Sequence, residues 1–208
     1  MSVKGLKPLR IYLSFMALTL FLYVFSQSVT GLTFVPQGER FVLGSELGYD
    51  FSPNSGAGFA LRAQKQIIPE VLLEGGAALS AGRRERNIFL SLAKTFYPDY
   101  GWQPALTLKG GIELSHIDDE NFNILSFSPL FSKGVRIVDQ ELYFFAGLPA
   151  RLIVGDDHKQ DSRFSLGLNT GASGPLKFWH EELFGTVELY FNARKSYNSV
   201  TFGLGKLF

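Results

Sequence analysis

The chain has 208 residues and a net charge of +1, with 20 phenylalanines, 22 glycines and no cysteine. This length suits one domain, and the balanced charge gives no reason to expect a nucleic-acid partner. The lack of cysteine excludes disulfides and thiolate metal sites, whereas many aromatic residues and glycines are typical of sheets joined by tight turns. A mean hydropathy of +0.09 is too low for a bundle of membrane helices.

The N-terminal stretch predicts a secretory signal peptide covering residues 1–28. Three basic residues precede an apolar run at 11–25, which is shorter than the about 20 residues of a membrane-spanning helix. Ser26 and Ser28 place small residues before a cut after Ser28. We therefore expect export by the secretory pathway, with 29–208 forming one domain. An uncleaved membrane anchor is the alternative.

Repeated alternation of apolar with small or polar side chains predicts β-strands, because side chains of a strand point to opposite faces in turn. The stretch 121–131 is ambiguous, since its apolar residues change face near Ile124 and Leu125 and Pro129 interrupts the ladder. Eight strands are the alternative to ten. The ten predicted strands are 40–51, 57–67, 70–80, 86–97, 104–116, 121–131, 141–154, 162–171, 183–193 and 199–208.

Short connections predict an antiparallel meander, since a parallel return needs a crossover of about a dozen or more residues. Ten such strands with apolar faces must stack as two sheets or close into an up-and-down barrel. With both chain ends on one side, the segments 132–140 and 172–182 are predicted to be long connections at that side.

The polar face indicates which side of the barrel is the interior. It is rich in small residues and has isolated charges of both signs, which suits a crowded membrane-barrel lumen in which each ion finds a partner. The apolar face then contacts lipid, and strands of this length cross a bilayer. A soluble lipocalin-like binding barrel, with the faces reversed, is the alternative. The predicted lumen charges are Glu46, Arg62, Glu74, Lys109, Glu113, Arg151, Arg163 and Glu188.

The last strand ends in a phenylalanine and has apolar residues at alternate positions before it. Val200, Phe202, Leu204 and Phe208 share one face, which only Lys206 interrupts. With the signal peptide and the even strand count, this ending resembles bacterial outer-membrane β-barrel proteins. The resemblance implies the cell outer membrane of a Gram-negative bacterium. It also implies that the barrel-assembly machinery reads these four residues during insertion.

A ten-stranded barrel has a narrow lumen, which the eight charges with Tyr143 and Tyr190 would largely fill. A structural or surface-interaction role is therefore predicted, with a small-solute channel as the alternative. The expected partners are outer-membrane lipids and lipopolysaccharide, whose phosphates Arg83, Arg84 and Arg86 could bind at an outer turn. No cofactor or metal is predicted.

Acidic loops at the outer rim offer a further hypothesis, a rim hydrolase. Carboxylates beside an imidazole can activate water, and clustered carboxylates can hold Ca²⁺. The same residue types are ordinary turn formers, so no enzymatic activity is expected. The candidates are Asp118, Asp119, Asp156, Asp157 and His158.

Overall fold

The computed structural model is all-β. It describes residues 41–51, 56–81, 86–117, 120–137, 140–155, 163–176, 183–194 and 198–208. Within these ranges no helix is long and apolar enough to cross a membrane. The strands are β1 (Phe41–Asp50), β2 (Ala57–Ile68), β3 (Val71–Ser80), β4 (Arg86–Tyr97), β5 (Ala105–Ile117), β6 (Glu120–Ile137), β7 (Gln140–Gly147), β8 (Ala150–Gly155), β9 (Arg163–Pro175), β10 (Leu183–Arg194) and β11 (Ser199–Leu207).

The strands close into an antiparallel up-and-down barrel. Each pairs with its neighbours along the chain, and β1 pairs with β11 from Val42 opposite Leu207 to Asp50 opposite Ser199. The strands β7 and β8 are two halves of one wall strand, since both pair with β6 and β9 in one register. The barrel therefore has ten strands. The predicted fold class is confirmed, and the alternative of eight strands is wrong.

Two prolines cause the break between β7 and β8. Pro149 has no N–H to donate, and Pro129 of β6 lies beside it. The Leu148 N–H still donates to Pro129 O at 3.1 Å, and the Gly167 N–H donates to Pro149 O at 3.0 Å. The wall is thus hydrogen-bonded on both sides of the break.

Two predicted connections are wrong, because strands occupy much of each segment. β6 continues to Ile137, which pairs with Gln140, so most of 132–140 belongs to a hairpin. β9 continues to Pro175, which shortens the connection predicted at 172–182. The residues that extend both strands include glycines, serines and a lysine, so no apolar alternation marks them.

The outward and inward faces have opposite chemistry. Outward side chains are apolar and exposed, as at Ile88 (66%) and Leu114 (60%), whereas inward side chains are small or polar and buried, as at Glu188 (1%). A soluble binding barrel would have these faces reversed. The exposed apolar band suits contact with lipid hydrocarbon instead.

Inward aromatic rings cover glycines on neighbouring strands. A Cβ added to Gly76 would collide with the Phe89 ring, one added to Gly171 with the Phe145 ring, and one added to Gly167 with the Tyr190 phenol. Glycine in a strand often marks such a close approach. These rings occupy the lumen next to the wall.

A turn outside the barrel wall is fixed to β6. The Lys133 ammonium pairs with Asp99 in the turn between β4 and β5, and it donates to Gly101 O at 2.7 Å. The Gly134 N–H donates to Asp99 Oδ2 at 2.7 Å. In the same turn the Trp102 side chain is fully exposed, where an indole ring suits the membrane interface.

We predict that Asp99 titrates below the ordinary aspartate pKa of about 3.9. Partial burial raises its pKa, but the hydrogen bonds from Lys133 and Gly134 outweigh this and lower it. The contact therefore stabilises the turn above about pH 4 and is lost as pH falls through the lowered pKa. An NMR titration of the Gly134 amide should show a midpoint below 3.9. Asp99→Asn should abolish it, and an ordinary or higher midpoint would contradict the assignment.

Candidate functional site

The centre of the lumen contains a buried ion-pair network on adjacent strands. Arg62 of β2 lies between Glu46 of β1 and Glu74 of β3. Its Nη2 donates to Glu46 Oε2 at 3.0 Å, and its Nη1 donates to Glu74 Oε1. Its Nε is 2.9 Å from Glu46 Oε1, an ion-pair contact without the alignment of a hydrogen bond. One guanidinium thus holds two carboxylates.

Glu74 is the most connected carboxylate of this network. Besides Arg62, it accepts from Lys109 Nζ at 2.8 Å, from Gln64 Nε2 at 2.8 Å and from Ser91 Oγ at 3.3 Å. These donors come from β2, β4 and β5, so the network joins five neighbouring strands across the lumen. A buried carboxylate needs this many partners to offset its lost hydration.

Aromatic rings accompany the buried cations. The Arg62 guanidinium carbon is 5.0 Å from the centre of the Phe89 ring. Arg151 is 6.0 Å from the centre of the Tyr190 ring. Cations over aromatic faces are attracted by the ring quadrupole. Rings and ion pairs thus lie side by side in the interior.

A second polar group lies on the wall formed by β9, β10 and β11. Asn169 Nδ2 donates to Glu188 Oε1 at 2.9 Å. Glu188 Oε2 and Asn169 Oδ1 have no hydrogen-bond partner among the described residues, and the same holds for the hydroxyls of Ser199 and Thr201. All four side chains are more than nine-tenths buried. Their free oxygens distinguish this wall from the paired network around Arg62.

Cavities remain inside and beside this arrangement. One of about 60 Å³ touches Glu74, Lys109, Glu113, Arg151 and Asn169 in the middle of the lumen. This space can hold several water molecules, since one needs roughly 10–15 Å³ by this measure. A cavity of about 540 Å³ lies where β3 and β5 end and β4 and β6 begin, beside Arg86, Asn87, Ser115, His116 and Phe122.

The structure places seven of the eight predicted lumen charges inside the barrel. Arg163 differs, because it is at the first residue of β9, opposite Ile153, and is exposed. Asp50 was absent from the predicted charges but is only 1% exposed and faces the lumen. Its place on the polar face of β1 was the signal that could have identified it.

Inward polar residues without charge were also missing from the predicted site. Gln64 donates to Glu74, and Asn87 Nδ2 donates to Glu113 Oε1 at 2.7 Å. The two tyrosines that were predicted in the lumen differ in burial, since Tyr190 is buried over Gly167 and Tyr143 is half-buried. The alternation of their strands places these residues on the inner face. The sequence does not show which residues of different strands lie at the same height along the barrel axis.

Several predicted residues lie outside the part of the chain that the structure describes. These include the signal peptide 1–28, the rim candidates Asp118, Asp119, Asp156, Asp157 and His158, and two of the three basic residues, Arg83 and Arg84. Arg86 is described and is exposed at the start of β4.

The four residues of the predicted assembly signal lie on the outward face of the closing strand β11 and just beyond it. Phe202 and Phe208 are exposed, at 56% and 63%. The Phe208 N–H donates to Phe41 O at 2.9 Å, and the two rings are 6.3 Å apart. Lys206 lies 5.1 Å from the Phe208 ring centre, where its ammonium can reach the headgroups.

No family model matches the chain, and no curated protein matches it. Several solved structures are similar to it. An outer membrane channel from Pseudomonas putida F1 is 9% identical, with 88% of this chain and 100% of that chain covered and a TM-score of 0.49. The translocator domain of autotransporter NalP from Neisseria meningitidis is 12% identical, with 97% of each chain covered and a TM-score of 0.45. A de novo designed transmembrane β-barrel is 15% identical, with 84% of this chain and 100% of that chain covered and a TM-score of 0.40. These likenesses concern the fold alone.

Proposed function

We propose that this chain is an integral outer-membrane β-barrel with a structural or surface-interaction role and a lumen closed to dissolved molecules. The observation that carries the proposal is the inversion of the two faces. Exposed leucine, isoleucine and phenylalanine side chains surround the barrel, whereas buried carboxylates and cations fill its interior. In a closed barrel of this size, an apolar outer surface around a charged interior is favourable only when the outer surface contacts lipid.

The closed lumen follows from the network and the rings beside it. Arg62, Glu74 and Lys109 cross the barrel from β2 to β5 at mid-height. Phe145 and Tyr190 occupy the opposite side over Gly171 and Gly167. A cavity of about 60 Å³ beside Glu74 and Asn169 accommodates water but not a sugar or an amino acid.

Two measurements test this function. In isolated outer membranes, the unboiled protein should migrate faster on a gel than the boiled protein, as closed detergent-resistant barrels do. In proteoliposomes, the same protein should give no swelling with disaccharides. Recovery as a soluble protein would contradict the membrane assignment, and swelling would contradict the closed lumen.

A small-solute channel is the second candidate, favoured by the cavity of about 540 Å³ at the outer ends of β3 to β6. This cavity is lined in part by the amide of Asn87 and the hydroxyl of Ser115, both of which face inward. Swelling with glycerol but not with disaccharides would support a channel of this kind. If neither glycerol nor disaccharides cause swelling, the result would contradict the channel and support the closed lumen.

The outward row Arg86, His116 and Asn121 supports the predicted contact with lipopolysaccharide. These residues are in register on β4, β5 and β6 at the outer end, and His116 Nδ1 is 2.9 Å from Asn121 Oδ1. The exposed Ile88 and Leu114 lie one step nearer the membrane centre on the same face. A phosphorylated glycolipid would thus find a phosphate-binding guanidinium above a surface for its acyl chains.

We predict that Arg86→Gln lowers the amount of lipopolysaccharide that copurifies with the protein. The change removes the positive charge that binds phosphate but keeps a hydrogen-bonding side chain. Lipid-bound phosphate and sugar can be measured after extraction in mild detergent. The matched control is Arg194→Gln, an exposed arginine at the same end of the barrel on β10. Equal lipopolysaccharide in both variants would remove Arg86 from this role.

A further inference from the structure

Exposed lysines lie on the outward face at one end of the barrel, where β1 begins and β11 ends; this is called the lysine end below. We propose that Lys65, Lys94 and Lys206 bind the phosphate groups of an anionic phospholipid, such as phosphatidylglycerol, in the membrane leaflet at the lysine end. The inference rests on the proposed function, because it requires a barrel that spans a membrane. It adds a lipid partner at the end opposite Arg86.

All three lysines point away from the lumen. Each is exposed and shares its face with an exposed leucine of the apolar band, either directly opposite or two residues back along the same strand. The ammonium groups therefore lie beside a surface for acyl chains. The pairs are Lys65 with Leu73, Lys206 with Leu43, and Lys94 with Leu92.

The strands are strongly staggered around the barrel. A row of directly paired residues that starts at Phe41 on β1 passes through Lys65 on β2 and ends at Arg194, at the opposite end of β10. This drift follows from the tilt of the strands against the barrel axis. Residues at one height in the membrane therefore step back toward the lysine end from each strand to the next.

The three lysines make this step. The row from Lys206 passes through β1 and reaches Ala63 on β2, two residues before Lys65. The row from Lys65 passes through β3 and reaches Leu92 on β4, two residues before Lys94. Each lysine is thus displaced toward the lysine end by two residues for every two strands. The displacement offsets the drift and keeps the lysines near one height, as the phosphate layer of a leaflet requires.

Aromatic rings accompany two of the ammonium groups. Lys94 Nζ is 5.3 Å from the centre of the Phe96 ring, and Lys206 Nζ is 5.1 Å from the centre of the Phe208 ring. Both rings are exposed on the outward face. Aromatic rings are enriched where headgroups meet hydrocarbon, and a lysine stem can lie along apolar surface with its ammonium in the headgroup layer.

The outward face of the described strands has basic residues but no acidic ones. Every aspartate and glutamate within these strands alternates onto the inward face. At the lysine end, Glu70 and Asp99 lie in turns beyond the strands, and Asp99 is paired with Lys133. A basic residue at an anionic membrane surface strengthens binding about fivefold. The lysines therefore favour lipids with a net negative charge.

The position of Arg86 indicates which lipid class the lysines meet. Lipopolysaccharide occupies one leaflet of an outer membrane, and phospholipids occupy the other. Arg86, the proposed lipopolysaccharide contact, is the first residue of β4, whereas Lys94 is near the last. The lysine end therefore faces the phospholipid leaflet.

Spin-labelled lipids test the contact. The full-length purified protein is reconstituted in phosphatidylcholine vesicles with a trace of spin-labelled phosphatidylglycerol or phosphatidylcholine. Electron paramagnetic resonance then measures the fraction of each label that the protein immobilises. The wild type should immobilise more phosphatidylglycerol than phosphatidylcholine, and about 1 M NaCl should reduce this excess because salt screens exposed charges. Lys65→Gln combined with Lys206→Gln should lower the excess by about half.

Two further variants serve as controls. Lys65→Arg combined with Lys206→Arg keeps both charges and should keep the excess. Arg136→Gln removes a basic residue at the same end, on the inward face of β6 opposite Glu141, and should also keep it. Equal immobilisation of both lipids by the wild type would overturn the proposal, as would an unchanged excess in the double glutamine variant. Less copurifying lipopolysaccharide in that variant would also overturn it, since the lysines would then face that lipid.

Gel migration of the same samples separates this proposal from the proposed function. A fast-migrating unboiled band together with equal immobilisation of the two lipids would overturn the lipid contact alone. Recovery as a soluble protein would overturn the membrane assignment as well.

Discussion

Replacing Arg62 by methionine is expected to lower the free energy of unfolding by about 3–5 kcal/mol, the range for removing one partner of a buried ion pair. Methionine fills similar space without charge, so the loss reports on electrostatics more than on packing. The variant leaves Glu46 with no guanidinium and Glu74 with Lys109 alone as its cation among the described residues. Both carboxylates stay at most 4% exposed.

Urea unfolding in lipid vesicles, followed by tryptophan fluorescence, measures this loss. Arg136→Met is the matched control, because Arg136 is exposed on β6 and its replacement should change stability little. Adding Glu46→Gln to Arg62→Met should recover part of the stability, since it removes one of the uncompensated charges. Unchanged stability in Arg62→Met would show that the network does not hold the barrel together.

Gly167→Ala is the second substitution with a large expected effect. The three atoms nearest to an added methyl group all belong to the Tyr190 ring and hydroxyl, and they overlap it. Tyr190 is 1% exposed, so its ring can move only within the packed interior. Overpacking of this kind costs about 1–3 kcal/mol and occasionally more. We therefore expect a lower free energy of unfolding, or failure to form the barrel that migrates faster on a gel before boiling.

A double-mutant cycle shows whether the tyrosine is the cause. Tyr190→Leu removes the ring, so Gly167→Ala should cost less in that background than in the wild type. Gly44→Ala is the control, because an added methyl group there would lie 3.5 Å from Leu204 O, an ordinary contact. Equal costs in both backgrounds would mean that Tyr190 does not set the requirement for glycine.

Much of this barrel could be predicted from alternation alone. A period of two identifies a strand and its two faces, so the inward position of Glu46, Glu74 and Glu188 required no three-dimensional information. Alternation fails where both faces have small residues. This is why the extensions of β6 beyond Phe131 and of β9 beyond Gly171 were assigned to connections. Neighbouring side chains lie close to their glycines, since Glu141 and Tyr143 approach Gly134 and Leu142 lies against Gly174.

The partners within the lumen could not be predicted, because they depend on the relative heights of the strands. Arg62 meets Glu74 although the residue opposite it on β3 is Gly76, so the contact is diagonal. The stagger of the strands around the barrel determines which residues make such diagonal contacts, and a single sequence does not show that stagger. The contact of Lys133 with Asp99 was missed for a related reason, since the strand extension that carries Lys133 was assigned to a connection.

Closure through β1 and β11 also has a consequence for the order of folding. The contacts of Phe41 with Phe208 and of Val42 with Leu207 join the two ends of the described chain, so they have the greatest sequence separation in the described wall. Contacts of this kind form late, because a long loop must be ordered first. Until then, two strand edges expose unpaired backbone groups that can template pairing with another chain. Pairing of β11 with β1 therefore ends this risk of aggregation.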